Sequence, residues 1–240
     1  MNIFLAGASG VIGRRLVPML RDAGHRVTGT TRSPEKAAAL ETLGAQGVVV
    51  DVFDARALLK AMDAAHPDVV IHQLTDLPDS KDPKTYPDAI ARNARVRIEG
   101  TPNLVKAAQM SGARRLIAQS VAFAYAPGDE PHVETASLDR AAEGTRRVLV
   151  DAITVLESSV AKAPGIDAII LRYGYFYGPG TWDMAPNAKP AVHVDAAARA
   201  ALLAVTRGAP GIYNIAEEDG LVAIDKARSQ LAFDPAYRMQ

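Results

Sequence analysis

The chain is 240 residues long and carries 27 basic and 27 acidic side chains, a zero balance that argues against a general nucleic-acid binder, which needs a basic excess. It has no cysteine, which removes disulfides, thiolate-bound zinc, iron–sulfur clusters and thiol nucleophiles. With 48% hydrophobic and 22% charged residues it reads as a globular chain sized for one well-cored domain with a small appendage.

Strand-like and helix-like segments alternate from the start. "NIFLAG" is an apolar strand, and Gly10 to Ala23 has helical periodicity, with Ile12, Leu16 and Leu20 on one face and Pro18 predicting a bend. "HRVTGT" is a second strand. Ser33, Pro34 and Glu35 then supply a helix cap, a first-turn proline and a first-turn acid, and Gly44 closes that helix. "GVVVD" is a third strand, Asp54 caps a helix through Ala65, and the unbroken "DVVIHQ" suits a strand buried on both faces of a parallel sheet. Leu74 to Pro87 is polar and reads as a loop. Helix is expected from about Asp88 to Met110 with an interruption near Pro102, then strand five, "RRLIAQS". A loop, "YAPGDEPHVETAS", leads to a long helix ending near Ala163, and "DAIILRYG" is strand six. The expected fold is α/β, a Rossmann doubly wound parallel sheet over residues 1–172, with a small C-terminal substrate lobe over 173–240 that also returns elements to the core. No apolar run reaches membrane-spanning length and the first strand opens at Asn2, so a cytoplasmic protein with no membrane contact is expected.

"GASGVIG", Gly7 to Gly13, follows a strand and opens a helix, the context in which spaced glycines form a phosphate cradle. The first glycine permits the tight turn, the second lets backbone N–H groups approach a pyrophosphate, and the helix N-terminus favours its negative charge. The expected contacts are Gly7, Ser9, Gly10, Val11, Ile12 and Gly13. This stretch resembles the TGxxGxxG fingerprint of the short-chain dehydrogenase/reductase superfamily, in its extended and atypical branches. The resemblance, to the NAD-dependent epimerase/dehydratase-like family, continues through "VVIHQLT", "RVRIEGTPNLVKAAQMSGARRLIAQS", "LRYGYFYGPG" and "HVDAAARA".

The end of strand two bears on which dinucleotide is bound. A site for NAD usually places an acid there, whereas this strand ends in Thr30-Thr31 followed by Arg32. A guanidinium suits a 2′-phosphate, so NADP is expected; the competing reading is a solvated arginine beside the Ser33 cap. The resemblance implies adenine contacts at Asp51 and Val52, and passage of the chain beneath the cofactor at Leu74 and Thr75. Read without it, Asp51 simply ends a strand.

The family's chemistry uses a tyrosine with a lysine four residues later on one helical face. None of the seven tyrosines here has that lysine. Counting back from Glu157 puts the two slots at Leu149 and Ile153, inside an apolar stripe with Leu156 and Val160 that reads as core or interface. Ser120 matches the family's active-site serine; otherwise it is a strand-end hydroxyl bonding to backbone. Tyr125 is a candidate substitute acid or a surface-loop tyrosine, and Tyr173 matches a position beside the nicotinamide. Tyr175 and Tyr177 crowd the same mouth, with Tyr177-Gly178-Pro179 as a turn. His72 reads as a core histidine, and Asp195 as the cap of the helix "AAARAALLAV". No cluster has metal-ligand spacing. Only twelve residues separate Gly180 from His193, so the substrate pocket should be small or open.

Two functions follow from these residues. One is an NADP(H)-dependent oxidoreductase moving a hydride to or from a small carbonyl or enone, with water or Ser120 giving the proton. The other is a non-catalytic NADP-binding protein that reports redox state. A homodimer through the helices flanking strand five is expected, from Val148, Ala152 and Val155 beside the apolar stripe.

Overall fold

The computed structural model describes residues 1–78 and 86–239, with the side chain of Pro87 also outside the description. Its first half alternates strand and helix: β1 (Asn2–Ala6), α1 (Gly13–Asp22), β2 (Arg26–Thr31), α2 (Pro34–Thr42), β3 (Gln46–Val49), α3 (Ala55–Ala65) and β4 (Val69–His72). Then come α4 (Tyr86–Arg95), a π-helical turn (Val96–Gly100), α5 (Thr101–Met110), β5 (Arg115–Val121), α6 (Gly144–Ala161) and β6 (Asp167–Tyr173). The chain finishes with β7 (Tyr175–Tyr177), β8 (Ala191–His193), α7 (Val194–Ala204), β9 (Gly211–Ile215) and α8 (Asp225–Leu231).

The helix starts follow their capping chemistry. Ser33 Oγ accepts the Lys36 N–H at 3.2 Å, Pro34 occupies the first turn, and Gly44 turns the chain at φ +92°. Asp54 accepts from Ala57 N–H at 2.9 Å and opens α3. Three expectations need correction. Gly10 to Ile12 belong to the turn before α1, whose first i→i−4 bond runs from Arg14 N–H to Gly10 O. The cap of α7 is His193, whose ring accepts the Asp195 N–H at 3.2 Å, leaving the Asp195 carboxylate free for Arg15. Finally, α4 begins at Tyr86, two residues before the expected start, while residues 79–85 of the expected loop lie outside the described residues.

The interruption near Pro102 is a π turn. Proline has no N–H for the carbonyl four residues back and its ring crowds that carbonyl. The helix accommodates it by widening: Thr101 N–H reaches Val96 O, five residues back.

Seven strands form one parallel sheet in the order β3-β2-β1-β4-β5-β6-β9. Alternate side chains of each strand enter two cores. Ile3, Leu5, Ile71, Ile169 and Leu171 meet α1, α7 and α8 on one face. Phe4, Ala6, Val70, Ala118 and Ile170 meet α3, α5 and α6 on the other. The Rossmann doubly wound sheet is thus present, and β7 pairs with β8 in a separate two-stranded sheet. Strand order reverses direction between β1 and β4, which opens a crevice at their C-terminal ends. Residue register brings Ala6 beside Thr30 and His72, so that Gly7, Thr31 and Gln73 rim the same opening.

Candidate nucleotide-binding site

Gly7 holds φ +85°, and a Cβ there would lie 2.5 Å from Gln73 O. At Gly13 the added carbon would lie 2.4 Å from Ala8 O. Both glycines therefore let backbone pack on backbone. Gly10 differs, because its Cβ would meet only Gly7 O, at 3.3 Å, and otherwise open space. Ala8 N–H bonds Thr30 O and Gly10 N–H bonds Gly7 O. The N–H groups of Ser9, Val11, Ile12 and Gly13 have no acceptor among the described residues. Four unpaired donors around the first turn of α1, with no side chain over Gly10, form a concavity whose donor chemistry fits a diphosphate. The Ser9 hydroxyl turns inward to Thr31 Oγ1 at 3.1 Å.

Toward the open edge of the sheet, Arg32 crosses to Asp76, its two terminal nitrogens lying 3.3 and 3.4 Å from the carboxylate oxygens. Arg92 approaches the same carboxylate at 4.0 Å, and Asn93 Oδ1 accepts the Asp76 N–H at 3.0 Å. Arg32 is thus not merely solvated beside the Ser33 cap: it is half exposed and paired. Asp51 accepts from Phe53 N–H at 3.0 Å and shapes the turn after β3. Val52 is buried against Gly100, and its carbonyl accepts from Asn103. Leu74 N–H donates to His72 Nδ1 at 3.2 Å, folding the chain back at the end of β4 with Thr75 exposed beyond it.

His72 is a core histidine, as its strand position implied. Burial, with the Arg97 charge nearby, pushes it down to about 4. Because Nδ1 accepts from Leu74, the proton sits on Nε2 and is donated to Thr101 Oγ1 at 2.9 Å.

The ends of β5 and β6 are closed by a buried network. Ser120 is fully buried and donates to Glu157 Oε1 at 2.7 Å, not to backbone. Arg172 makes a two-pronged pair with the same carboxylate, at 2.8 and 2.7 Å, and donates to Glu134 O. Tyr125 is no surface tyrosine: it is 5% exposed, lies under the Arg172 guanidinium, and donates to Asn214 Oδ1 at 2.7 Å. Burial raises its pKa, so it holds its proton firmly. Tyr173 is also buried and shifted upward, and its hydroxyl accepts from Gln73 Nε2 at 3.4 Å. In α6, Ile153, Leu156 and Val160 are buried and Leu149 is half-buried, so the two slots of the missing dyad belong to the core. Neither Glu157 nor Arg172 was singled out as a site residue from sequence; a lone charge in an apolar helix stripe and another in an apolar strand were the available signal.

The short segment after Gly180 folds back over the site. Gly180 lies against Val11, Arg14 and Arg15, and Trp182 Nε1 donates to Pro78 O at 3.0 Å. Tyr177 is held by Glu217 and by Arg238, and Asp195 by Arg15 and the Met239 N–H. Beside Ala122, an open cleft of about 240 Å³ is lined by Phe123, Tyr125, His132, Tyr175 and Lys189. The rings of Phe123 and Tyr175 stack at 3.9 Å. No group of three or more potential metal ligands occurs, and no helix is long and apolar enough to cross a membrane, among the described residues.

Residues 3–191 match the NAD dependent epimerase/dehydratase family. Over 184 residues the chain is 43% identical to a 3-diazoavenalumate denitrifying reductase from a Streptomyces species, a match covering 75% of this chain and 58% of the relative's length. It is also similar to cinnamoyl-CoA reductase 1 of Oryza sativa subsp. japonica, 34% over 122 residues, covering 48% of this chain and 32% of that protein. The fold aligns with a UDP-glucose 4-epimerase of Thermotoga maritima solved with UDP-glucose, at TM-score 0.79 and 18% identity, over 99% of this chain and 94% of the other. A UDP-glucose 4-epimerase of Thermus thermophilus in complex with NAD gives TM-score 0.76 at 18% identity, over 100% and 95%. At such identities these structures speak to fold alone.

Proposed function

The chain belongs to the NAD dependent epimerase/dehydratase family, and from that premise we propose that it is an NADP(H)-dependent oxidoreductase of the atypical short-chain dehydrogenase type. Its substrate is a small carbonyl or enone compound. The observation that carries the reading is the cradle, where four unpaired N–H groups surround a glycine with open space above it. Gly7, Ser9, Gly10, Val11, Ile12 and Gly13 hold the diphosphate there, and Arg32 reaches the 2′-phosphate. Asp51, Val52, Leu74, Thr75 and Tyr173 line the remainder. The bound nicotinamide supplies or accepts a hydride. The two reductase relatives favour reduction over epimerisation, since the dyad slots are filled by Leu149 and Ile153.

The protein's own contribution is then positioning of the substrate against the nicotinamide. Ser120 has its proton committed to Glu157, and Tyr125 is bonded to Asn214, so water entering by the cleft beside Ala122 is the proton source. Those same two bonds support the second reading, a non-catalytic NADP-binding redox reporter. The partner expected besides substrate is a second copy of the chain, docked through α6, where Val148 is exposed and Val155 half-buried, although Ala152, expected on the same face, is buried in the core. NADPH consumption against a panel of aromatic and aliphatic aldehydes, ketones and enones separates the readings. Tight NADPH binding without turnover of any compound favours the reporter.

A further inference from the structure

Arg97 is a buried cation without a counter-ion among the described residues. It is 5% exposed, and no hydrogen bond or ion pair engages its guanidinium among the described residues. Burial draws its pKa down to about 10, and no carboxylate opposes that effect. The fully sealed side-chain atoms lacking a partner are Gln73 Oε1, Arg115 Nε and Asp219 Oδ2; the Arg97 nitrogens are not among them, so the group keeps an opening. An unpaired charge in such a place is a standing cost to the fold unless something else is meant to meet it.

Its neighbours along the helix say where it faces. Four residues earlier, Asn93 accepts the N–H of Asp76 at 3.0 Å. Four residues later, Thr101 bonds His72 at 2.9 Å. Asn93 and Thr101 therefore touch the two ends of the span His72–Asp76, and Arg97 lies midway between them along the chain. The intervening Gln73–Leu74–Thr75 backbone is the strip against which Gly7 is pressed, at 2.5 Å from a would-be Cβ to Gln73 O. Arg97 belongs to the π turn, a local widening common where a helix serves a ligand, and its charge is felt by the His72 ring at the end of β4.

We propose that Arg97 is an anion receptor of the crevice, taking a phosphate or carboxylate oxygen of a molecule bound between the glycine turn and the His72–Asp76 segment. It is distinct from the amide cradle and from Arg32. The proposal rests on the crevice being a ligand site, and the experiment separates the two claims. Calorimetric titrations on the full chain compare ADP with adenosine, and cinnamate with methyl cinnamate in the presence of NADP+. They are run for the natural protein, Arg97→Met and Arg97→Lys. Arg97→Met is expected to lose at least tenfold in affinity for the anionic member of one pair and to leave the uncharged member unchanged. It should also melt no lower than the natural protein, because it removes a buried unpaired charge, an outcome that a merely structural arginine would not give. Loss confined to ADP assigns the phosphate, and loss confined to cinnamate assigns the carboxylate. Should Arg97→Met not fold, Arg97→Lys decides, with several-fold weakening expected from loss of the planar fork. Unchanged affinity for both anions in the folded variants overturns the proposal. A natural protein that binds neither ADP nor NADP+ overturns the nucleotide reading instead.

Discussion

The C-terminal ends of β1 and β5 lie either side of β4 in one sheet and are finished in opposite ways. Behind β1 the glycine turn leaves four N–H groups without acceptors among the described residues. Behind β5 the polar groups close on one another: Ser120 on Glu157, Glu157 on Arg172, and Tyr125 on Asn214. Open hydrogen-bonding capacity at a helix N-terminus is what a ligand completes. A network already satisfied gives a ligand little, but it ties α6, β5 and β6 together. In this chain the β1 end of the crevice is left with open donors and the β5 end is braced.

The largest expected effect comes from breaking that brace. Arg172→Met leaves the Glu157 carboxylate buried without its cation, so urea unfolding should register a loss of about 3–5 kcal/mol. Arg172→Met combined with Glu157→Leu should recover most of it, because no buried charge remains. A loss below about 1 kcal/mol in the single variant would mean that solvent reaches the pair and that the two strand ends do not differ as described. Next in size is His72, on the strand between them. Its pKa lies below that of the unfolded chain, at about 4 against 6.5, so the neutral folded form is favoured above 6.5. Stability should therefore fall as pH drops from about 6.5 to 4, by about 3 kcal/mol from this residue. Replacement by glutamine should flatten that limb in acid-titration melts; an unchanged slope would assign the acid sensitivity to other groups.

The two strand ends also differed in how far they could be read before the fold was known. Everything at the cradle depends on neighbours in sequence: a strand, three glycines, and a helix start within about a dozen residues. Ser33 and Asp54 were equally legible, because a cap acts on an amide three residues away. The β5 end was not. Ser120 and Glu157 are 37 residues apart, and Tyr125 and Asn214 are 89 apart, so only the closed sheet brings them together. Tyr125 looked like a loop residue because its flanking sequence is polar, and it is buried because Arg172 lies over its ring. Asp195 looked like a cap because aspartate before an alanine run usually is one. The histidine two residues earlier took that role, and the carboxylate went to Arg15, 180 residues away.

A smaller effect on stability, and a clear one on binding, is expected at the cradle. Gly10→Val puts two methyl groups where only Gly7 O is near, so the protein should fold with little change in melting temperature. Dinucleotide affinity should fall by thirtyfold or more, about 2 kcal/mol. Gly13→Val is the contrast, since its added carbon would overlap the Ala8 carbonyl and the loss should appear in folding itself. Fluorescence titration with NADPH beside a thermal melt distinguishes them. Full affinity in a folded Gly10→Val protein would remove the claim that the glycine turn is unfinished for a ligand's sake.

The smallest expected effect concerns which dinucleotide completes the site. Arg32 is already paired with Asp76, so a 2′-phosphate must draw it away or share it. A charge-assisted contact contributes about 1.5–3 kcal/mol. The exposed ion pair given up in exchange is worth at most about 1 kcal/mol. What remains is about 0.5–2 kcal/mol, so NADP should bind about two- to thirtyfold more tightly than NAD. Arg32→Ala should erase that preference by weakening NADP alone, because the NAD ribose offers the guanidinium no charge. Asp76→Asn should move the other way: it frees Arg32 and removes a negative charge from the phosphate's approach, so the preference for NADP should widen severalfold. Competitive titrations with both dinucleotides across the three proteins give the answer. Tighter NAD than NADP binding in the natural protein, narrowed by Asp76→Asn but not by Arg32→Ala, would mean that Asp76 rather than Arg32 faces the ribose, and that the acid expected at the end of β2 is supplied from beyond β4.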